Sequence, residues 1–473
     1  MMRWVLPLML LATPAMAEDA RPKNVILMIA DGAGYNMLAA TRYWTGARLT
    51  ADGSAWSRAA MATYALRRGQ EGAGQDPDIV YDSAKAWDIA LLAGPSTCAE
   101  GYPGAFAGYE WHRCTYPDSA ATMSAMVTGT RTYNGAVNVD GDGVNQLSVA
   151  EAAKAAGRRV GSISTVPFTH ATVAAGGGAH DTARGNYHEI AAELLNAPTL
   201  DFLAGGGHPD YDGNGDPHAA DVDAETRFRW LSPDGWQAVK DGSAGWTLVE
   251  ARDEIAEMAA GGRREGRILV LPPVAATFQV ERDFPDDLRS PATPPGAVPL
   301  LTTVPPLAEL TRAALSQLDG EDGFFLAVEG GAVDWAMHGN SLGRAIEEYL
   351  DFDAAVAAVD AWLSDPATPA GWDDTLVIVT ADHDHLLMGP DASVPFQSVR
   401  DAGRDRLPGH SWFSGSHSNQ LVPLYARGPG AEEIIALADE EDRVADADGI
   451  VRGRGRYLQQ PELGTAILEF MTP

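Results

Sequence analysis

Residues 324–338 read FFLAVEGGAVDWAMH. An apolar run ends in Glu329, and Asp334 and His338 follow at i,i+4 spacing. On a helix that spacing sets both side chains on one face, within reach of a single cation. A buried strand that stops at a carboxylate delivers the charge to one edge of its sheet, and open α/β sheets bind ligands at that edge. The same grammar occurs twice more. The run NVILMIA ends in Asp31 and a glycine-rich turn, and TLVIVTA ends in Asp382, His383, Asp384 and His385. Any one of these could be an ordinary polar helix start. Three converging strand ends would crowd buried carboxylates that repel one another and lose their hydration, which calls for a compensating positive charge. The pattern points to a metal centre.

Metal ligands do not name a reaction. The stretch YPDSAATMSAMVTG beginning at Tyr116 carries more information. After the turn at Pro117, small residues predict a helix with Ser119 in its first turn, where unpaired N–H groups and the helix dipole favour an anion. A serine there can be a mere helix cap. Beside metal ligands it becomes a candidate nucleophile, because a serine hydroxyl attacks only once a metal or base removes its proton.

The elements that must position these groups alternate along the chain. Further strands are expected at 159–166, 200–204, 267–271 and 421–425, with helices at 148–156, 307–318 and 342–363. Strand–helix alternation over the whole length predicts an α/β fold with a doubly wound central sheet, helices on both faces and small surface insertions. Residues 18–473 read as one catalytic domain. Within it, 285–306 carry seven prolines and read as a surface linker, and 208–246 read as an acidic, glycine-rich insertion.

Residues 1–17 read as a secretory signal: Arg3, an apolar core from Val5 to Leu11, and the exit Ala15-Met16-Ala17. No later segment is apolar for long enough to cross a bilayer. A periplasmic or secreted protein is expected, and there Cys98 and Cys114 could close a disulfide contributing about 3 kcal/mol. Two buried thiols are the alternative. The net charge of −31 argues against nucleic acid or an anionic membrane as partner. Lysine occurs only at 23, 85, 154 and 240, which fits a salty habitat or an arginine-favouring genome equally.

These motifs resemble those of the alkaline phosphatase family, from Asn24 to about Pro429. The family's Asp-Ser-Ala-Ala nucleophile motif is matched by Asp118-Ser119-Ala120-Ala121. Its strand-terminal aspartate is matched by Asp31, and its Glu-Gly-x-x-x-Asp-x-x-x-His motif by Glu329, Asp334 and His338. Thr-Ala-Asp-His falls on Asp382 and His383, and the last histidine ligand on His417. The stretches around Thr172 and Arg184 fit the segment carrying the third metal's threonine and the phosphate-binding arginine.

The resemblance implies a metal-dependent phosphomonoesterase, working at alkaline pH on small-molecule phosphate monoesters through a phosphoserine. One zinc would sit on Asp334, His338 and His417, and a second on Asp31, Asp382 and His383 with Ser119. A magnesium would sit on Asp31, Thr172 and Glu329. One branch of the family has aspartate and lysine where this chain has His170 and Trp335, a pair resembling that of certain marine bacterial members. The short stretch between His385 and His417 lacks room for the large surface domain of the animal enzymes, which leaves a homodimer open.

A sulfatase needs Cys-x-Pro-x-Arg, and the residues from Cys114 lack that spacing. A phosphodiesterase would keep the two zinc sites without the magnesium set, and a periplasmic phosphate or metal binder would need neither Ser119 nor Arg184. Finally, Asp210, Asp212, Asn214 and Asp216 alternate with Gly215 at the sixth position and Asp221 at the twelfth, the ligand rhythm of a calcium loop. Pro217 interrupts that rhythm, and a solvated acidic loop is the alternative.

Overall fold

A computed structural model describes residues 21–89, 109–288, 290–391, 394, 397–445 and 451–472. The signal segment and Cys98 lie outside the described residues. The strands are β1 (Asn24–Ala30), β2 (Ser57–Ala62), β3 (Arg159–Pro167), β4 (Phe202–Gly206), β5 (Trp246–Val249), β6 (Arg267–Val270) and β7 (Phe324–Gly330). They continue with β8 (Thr375–Thr380), β9 (Asp384–Met388), β10 (Ser411–Ser418), β11 (Val422–Arg427), β12 (Glu440–Ala445) and β13 (Val451–Gln459).

Eleven of them form one sheet in the order β12-β13-β2-β11-β8-β1-β7-β3-β4-β6-β5. From β8 to β5 every pairing is parallel. Strands β1, β7 and β8 are buried at every residue, which is why they read as unbroken apolar runs rather than as alternating ones. Side chains of successive residues point to opposite faces of a sheet. At Gly161 an added Cβ would meet Leu318 of the helix Leu307–Leu318, whereas the next residue, Ser162, donates to Val173 of the helix Ala171–Gly176. Helices therefore cover both faces, as the doubly wound reading requires.

Register then does the positioning. Ile29 pairs with Glu329 on one side and Thr380 on the other, and Ser164 pairs with Glu329. Asp31 and Asp382 each lie two residues past that row, so Asp31, Asp382, Glu329 and Ser164 gather at the carboxyl edge of four adjacent strands. The separate β9–β10 hairpin sets His417 opposite His385 and returns both to the same edge. The helices expected at 148–156, 307–318 and 342–363 form as Val149–Ala155, Leu307–Leu318 and Leu342–Ser364.

The strand expected at 200–204 is displaced to Phe202–Gly206. It continues through two glycines because a Cβ at Gly206 would lie 1.6 Å from the Ala276 carbonyl oxygen, so only a bare backbone fits there. Residues 208–246 hold two short helices, Ala224–Arg227 and Pro233–Lys240, and lead into the edge strand β5. Residues 285–306 contain the short turn Asp286–Leu288 and bury Val298 and Val304 against the body of the protein.

Candidate active site

Ser119 is the first residue of the helix Ser119–Thr128, and the cap is its neighbour. Asp118 Oδ1 accepts from the backbone N–H of Ala121 and of Gly135, each at 3.0 Å. The Ser119 hydroxyl is thereby released from capping, and its Oγ lies 3.2 Å from His383 Nε2. The other Asp118 oxygen accepts from Arg184 Nη1 at 3.0 Å, while Arg184 Nη2 lies 3.2 Å from His170 Nε2. One carboxylate thus shapes the helix start and aims the guanidinium. Ser119, His170, Arg184, Asp334, Trp335, His338 and His417 line one cleft of about 350 Å³.

Two ligand clusters meet at its floor. In the first, Asp334 lies 3.3 Å from His338 Nε2 and 3.2 Å from His417 Nε2, and the two Nε2 atoms are 3.2 Å apart. Their Nδ1 atoms donate to the carbonyls of Gly415 (2.7 Å) and Pro117 (2.8 Å), which fixes the tautomers and turns both Nε2 lone pairs inward. Burial opposes charge on His338, yet the adjacent Asp334 carboxylate raises it to about 9, so an entering cation would displace that proton.

In the second cluster His383 Nε2 is 3.3 Å from both Asp31 Oδ1 and Asp382 Oδ2. Asp382 is anchored by the N–H groups of Gly32 (3.0 Å) and His383 (2.9 Å). The His383 and His417 rings stack with centroids 3.6 Å apart, joining the two clusters.

A third set is richer in oxygen. Glu329 Oε2 accepts from the Ser164 hydroxyl at 2.5 Å, but Glu329 Oε1, Thr172 Oγ1 and both Asp31 oxygens are buried with no hydrogen-bond partner. Orphaned buried carboxylate oxygens are costly unless a cation meets them. Burial raises Glu329 to about 7, and burial followed by the charges of Asp382 and Asp334 raises Asp31 well above its usual range. These donors fit a hard cation and the imidazole clusters fit zinc.

The family model for alkaline phosphatase matches residues 105–401. Alkaline phosphatase 3 of Bacillus subtilis is 32% identical over 405 residues, covering 69% of this chain and 77% of that protein. This chain belongs to the alkaline phosphatase family. The Escherichia coli alkaline phosphatase is 30% identical to this phosphatase over 355 residues, covering 69% of this chain and 71% of its own length. The alkaline phosphatase of the Antarctic bacterium TAB5 shares the fold, with a TM-score of 0.60 at 22% identity over 96% of this chain and 99% of that one. The chain is a phosphoric monoester hydrolase, and among its described residues no helix is long and apolar enough to cross a membrane.

Ser119, His170, Arg184, Trp335 and the residues expected as zinc and magnesium ligands lie at this edge of the phosphatase sheet. Two contacts do not follow from the sequence. His385 Nε2 is buried 2.7 Å from Asp334 Oδ1, a contact that depends on the β9–β10 register. Asp118 was legible as motif but not as the residue that orients Arg184.

The acidic loop at 210–216 is engaged with protein partners. Asp210 is turned to the Arg227 guanidinium and the Trp236 indole (3.1 Å), so the loop's first carboxylate is already neutralised. Asp212 accepts from the backbone of Asn214 and Asp216 at 2.8 and 3.0 Å, while Asn214 accepts from the Asp283 backbone at 2.6 Å. These residues close on separate protein partners rather than on one centre.

Proposed function

We propose that this phosphatase transfers the phosphoryl group of small phosphate monoesters to Ser119 and then to water, at alkaline pH. The observation that carries the reading is Ser119 Oγ at a helix start, 3.2 Å from His383 Nε2, opening on the same cleft as Arg184. Asp334, His338 and His417 would hold one zinc, Asp31, Asp382 and His383 a second beside Ser119, and Asp31, Thr172 and Glu329 a magnesium. A variant of the Antarctic enzyme in which aspartate replaces a histidine has Mg bound in its M3 site. When bound, the cations supply the positive charge that stabilises alkoxide and hydroxide at neutral to alkaline pH.

Ser119 gives up its hydroxyl proton to solvent, its Oγ attacks phosphorus in line, the bond to the leaving oxygen breaks, and that oxygen takes a proton from solvent. Water then loses a proton to solvent and adds to phosphorus from the vacated side, the Ser119 ester bond breaks, Ser119 Oγ regains a proton and phosphate departs. Arg184 grips two non-bridging oxygens through both steps, a bidentate geometry that lysine does not offer. Residues 1–17 fit export, and a Cys98–Cys114 disulfide would form after it. The test is turnover of an aryl phosphate against its diester, with metal content measured on the same sample. Preference for the diester would overturn the monoester reading.

Two substitutions probe the cleft. Asp118→Asn keeps an oxygen for the helix cap but presents an amide to Arg184. It is expected to weaken competitive inhibition by phosphate roughly tenfold. An unchanged inhibition constant would show that Asp118 does not hold the arginine. Trp335 lies with its ring centroid 5.6 Å from His170, so Trp335→Lys adds a cation at the cleft wall. Phosphate inhibition should tighten several-fold. Unchanged or weaker inhibition in that variant would place Trp335 away from the phosphate.

A further inference from the structure

A second cavity, of about 290 Å³, opens beside strands β2 and β13, where Tyr35, Arg58, Arg454 and Arg456 line it with Ile435 and Ala438. Its three arginines are anomalous in a chain with 65 acidic and 34 basic residues. Other arginines meet a carboxylate, as Arg42 does at Asp52 (2.6 Å) and Arg282 at Glu347 (2.7 Å), or saturate their guanidinium on carbonyls, as Arg267 does on Leu194, Leu195, Ala197 and Leu200. Among the described residues Arg58, Arg454 and Arg456 form no ion pair, and Arg58 Nη2 donates only to the carbonyls of Asp52 and Gly53. Arg454 Nε is moreover buried without a hydrogen-bond partner.

The fold brings these charges together. β13 runs parallel to β2 with Tyr457 opposite Ala60, so Arg456 and Arg58 reach the same end of the pair. Gly453 (φ 138°) and Gly455 (φ 83°) break the regular alternation of the Arg-Gly-Arg-Gly-Arg run. The Arg454 guanidinium lies 4.3 Å from the Tyr35 ring centroid and 5.7 Å from that of Trp87, contacts that hold the group without neutralising it.

The buried Asp384 shares a small cavity with Tyr35 and Arg454 but accepts from the Ser418 hydroxyl at 2.8 Å and forms no ion pair with Arg454. Glu441, opposite Arg456, reaches Arg443 at 4.0 Å, and Asp442 accepts from the Arg454 backbone at 2.6 Å and the Trp87 indole at 3.2 Å. Three like charges around one small cavity repel, and a shared anion removes the repulsion. Arginine side chains from two strands lining one cavity offer more donors than a flat carboxylate can fill, and a tetrahedral oxyanion suits them better.

We propose that this cavity is a phosphate-group site separate from the catalytic cleft, occupied by free phosphate or by the phosphoryl group of a small molecule. Titration of the metal-loaded enzyme with inorganic phosphate, followed by equilibrium dialysis and phosphorus NMR, should give two phosphates per chain. Arg184→Ala should abolish the cleft phosphate and keep the second. Arg454→Gln should abolish the second while aryl phosphate turnover and its inhibition by phosphate stay unchanged.

Arg456→Glu, a charge reversal on the surface, guards against misfolding of the first variant and should weaken the second phosphate at least about tenfold. A single phosphate per wild-type chain overturns the proposal, as does a second phosphate that survives both substitutions. Acetate competing as well as phosphate overturns the assignment to a tetrahedral oxyanion. Glycerol phosphate displacing phosphate from the second site supports a phosphorylated small molecule as the occupant, and its failure to do so supports free phosphate.

Discussion

Alanine at position 119 is expected to cut aryl phosphate turnover by roughly four orders of magnitude and to abolish phosphoenzyme formation. The fold should survive, because the helix cap is Asp118, whose Oδ1 receives the Ala121 N–H at 3.0 Å. Were Ser119 the cap, its loss would lower stability by about 1 kcal/mol and leave the chemistry intact. Turnover, quenched-flow trapping of phosphoenzyme and metal content on one preparation separate the two roles. Near-normal turnover in folded, metal-loaded Ser119→Ala protein would end the assignment of Ser119 as nucleophile.

The second large effect is expected on metal removal, and it depends on pH. Burial holds Glu329 up to about 7, against its ordinary 4.5, and holds Asp31 and Asp382 above their usual range as well. A carboxyl raised in the folded state contributes stability that is complete below its unfolded value and is lost as pH rises through the folded one. In chelated protein, Glu329 alone should therefore withdraw on the order of 3 kcal/mol between pH about 4.5 and about 7. Cations reverse the sign by making the ionised form the favourable one.

The gap in melting temperature between metal-loaded and stripped enzyme should accordingly widen from pH 5 to pH 8. Glu329→Gln makes the test specific, because buried neutral histidines such as His112, lowered to about 4, push the total in the opposite direction. Stripped Glu329→Gln protein should melt above stripped wild type at pH 8 and close to it at pH 5, whereas with metals present the variant should be the weaker. Equal melting of the two stripped proteins at pH 8 would mean that Glu329 carries no unmet charge.

The same physics decides what could be read from the chain. Strands β1, β7 and β8 were legible because burial on both faces leaves no polar residue until the sheet edge, where Asp31, Glu329 and Asp382 announce the site. Asp334 and His338 were legible because four-residue spacing is a local helical property. The β12–β13 hairpin was not legible. Glu440 to Ala445 and Val451 to Tyr457 are mostly charged or glycine, with no apolar rhythm to betray a strand, and only pairing with β2 makes β13 part of the sheet. His385 was visible as a residue but not as a partner of Asp334, since that contact joins positions 51 apart. Arg184 likewise owes its aim to Asp118, 66 residues away.

The central strand has a consequence for synthesis. β1 emerges early, yet its two neighbours are β7 and β8, and the Asn24–Phe324 contact alone spans 300 residues. At ribosomal speeds of roughly 5–20 residues per second, NVILMIA waits about 15 to 60 s for its first partner. During that interval it is an unpaired apolar strand, and the aspartate at its end has no site to complete. Cations therefore cannot nucleate this fold. They load onto a sheet closed only after the last third of the chain has been made, so the newly made polypeptide has to be kept from aggregating by something other than the metals it will come to need.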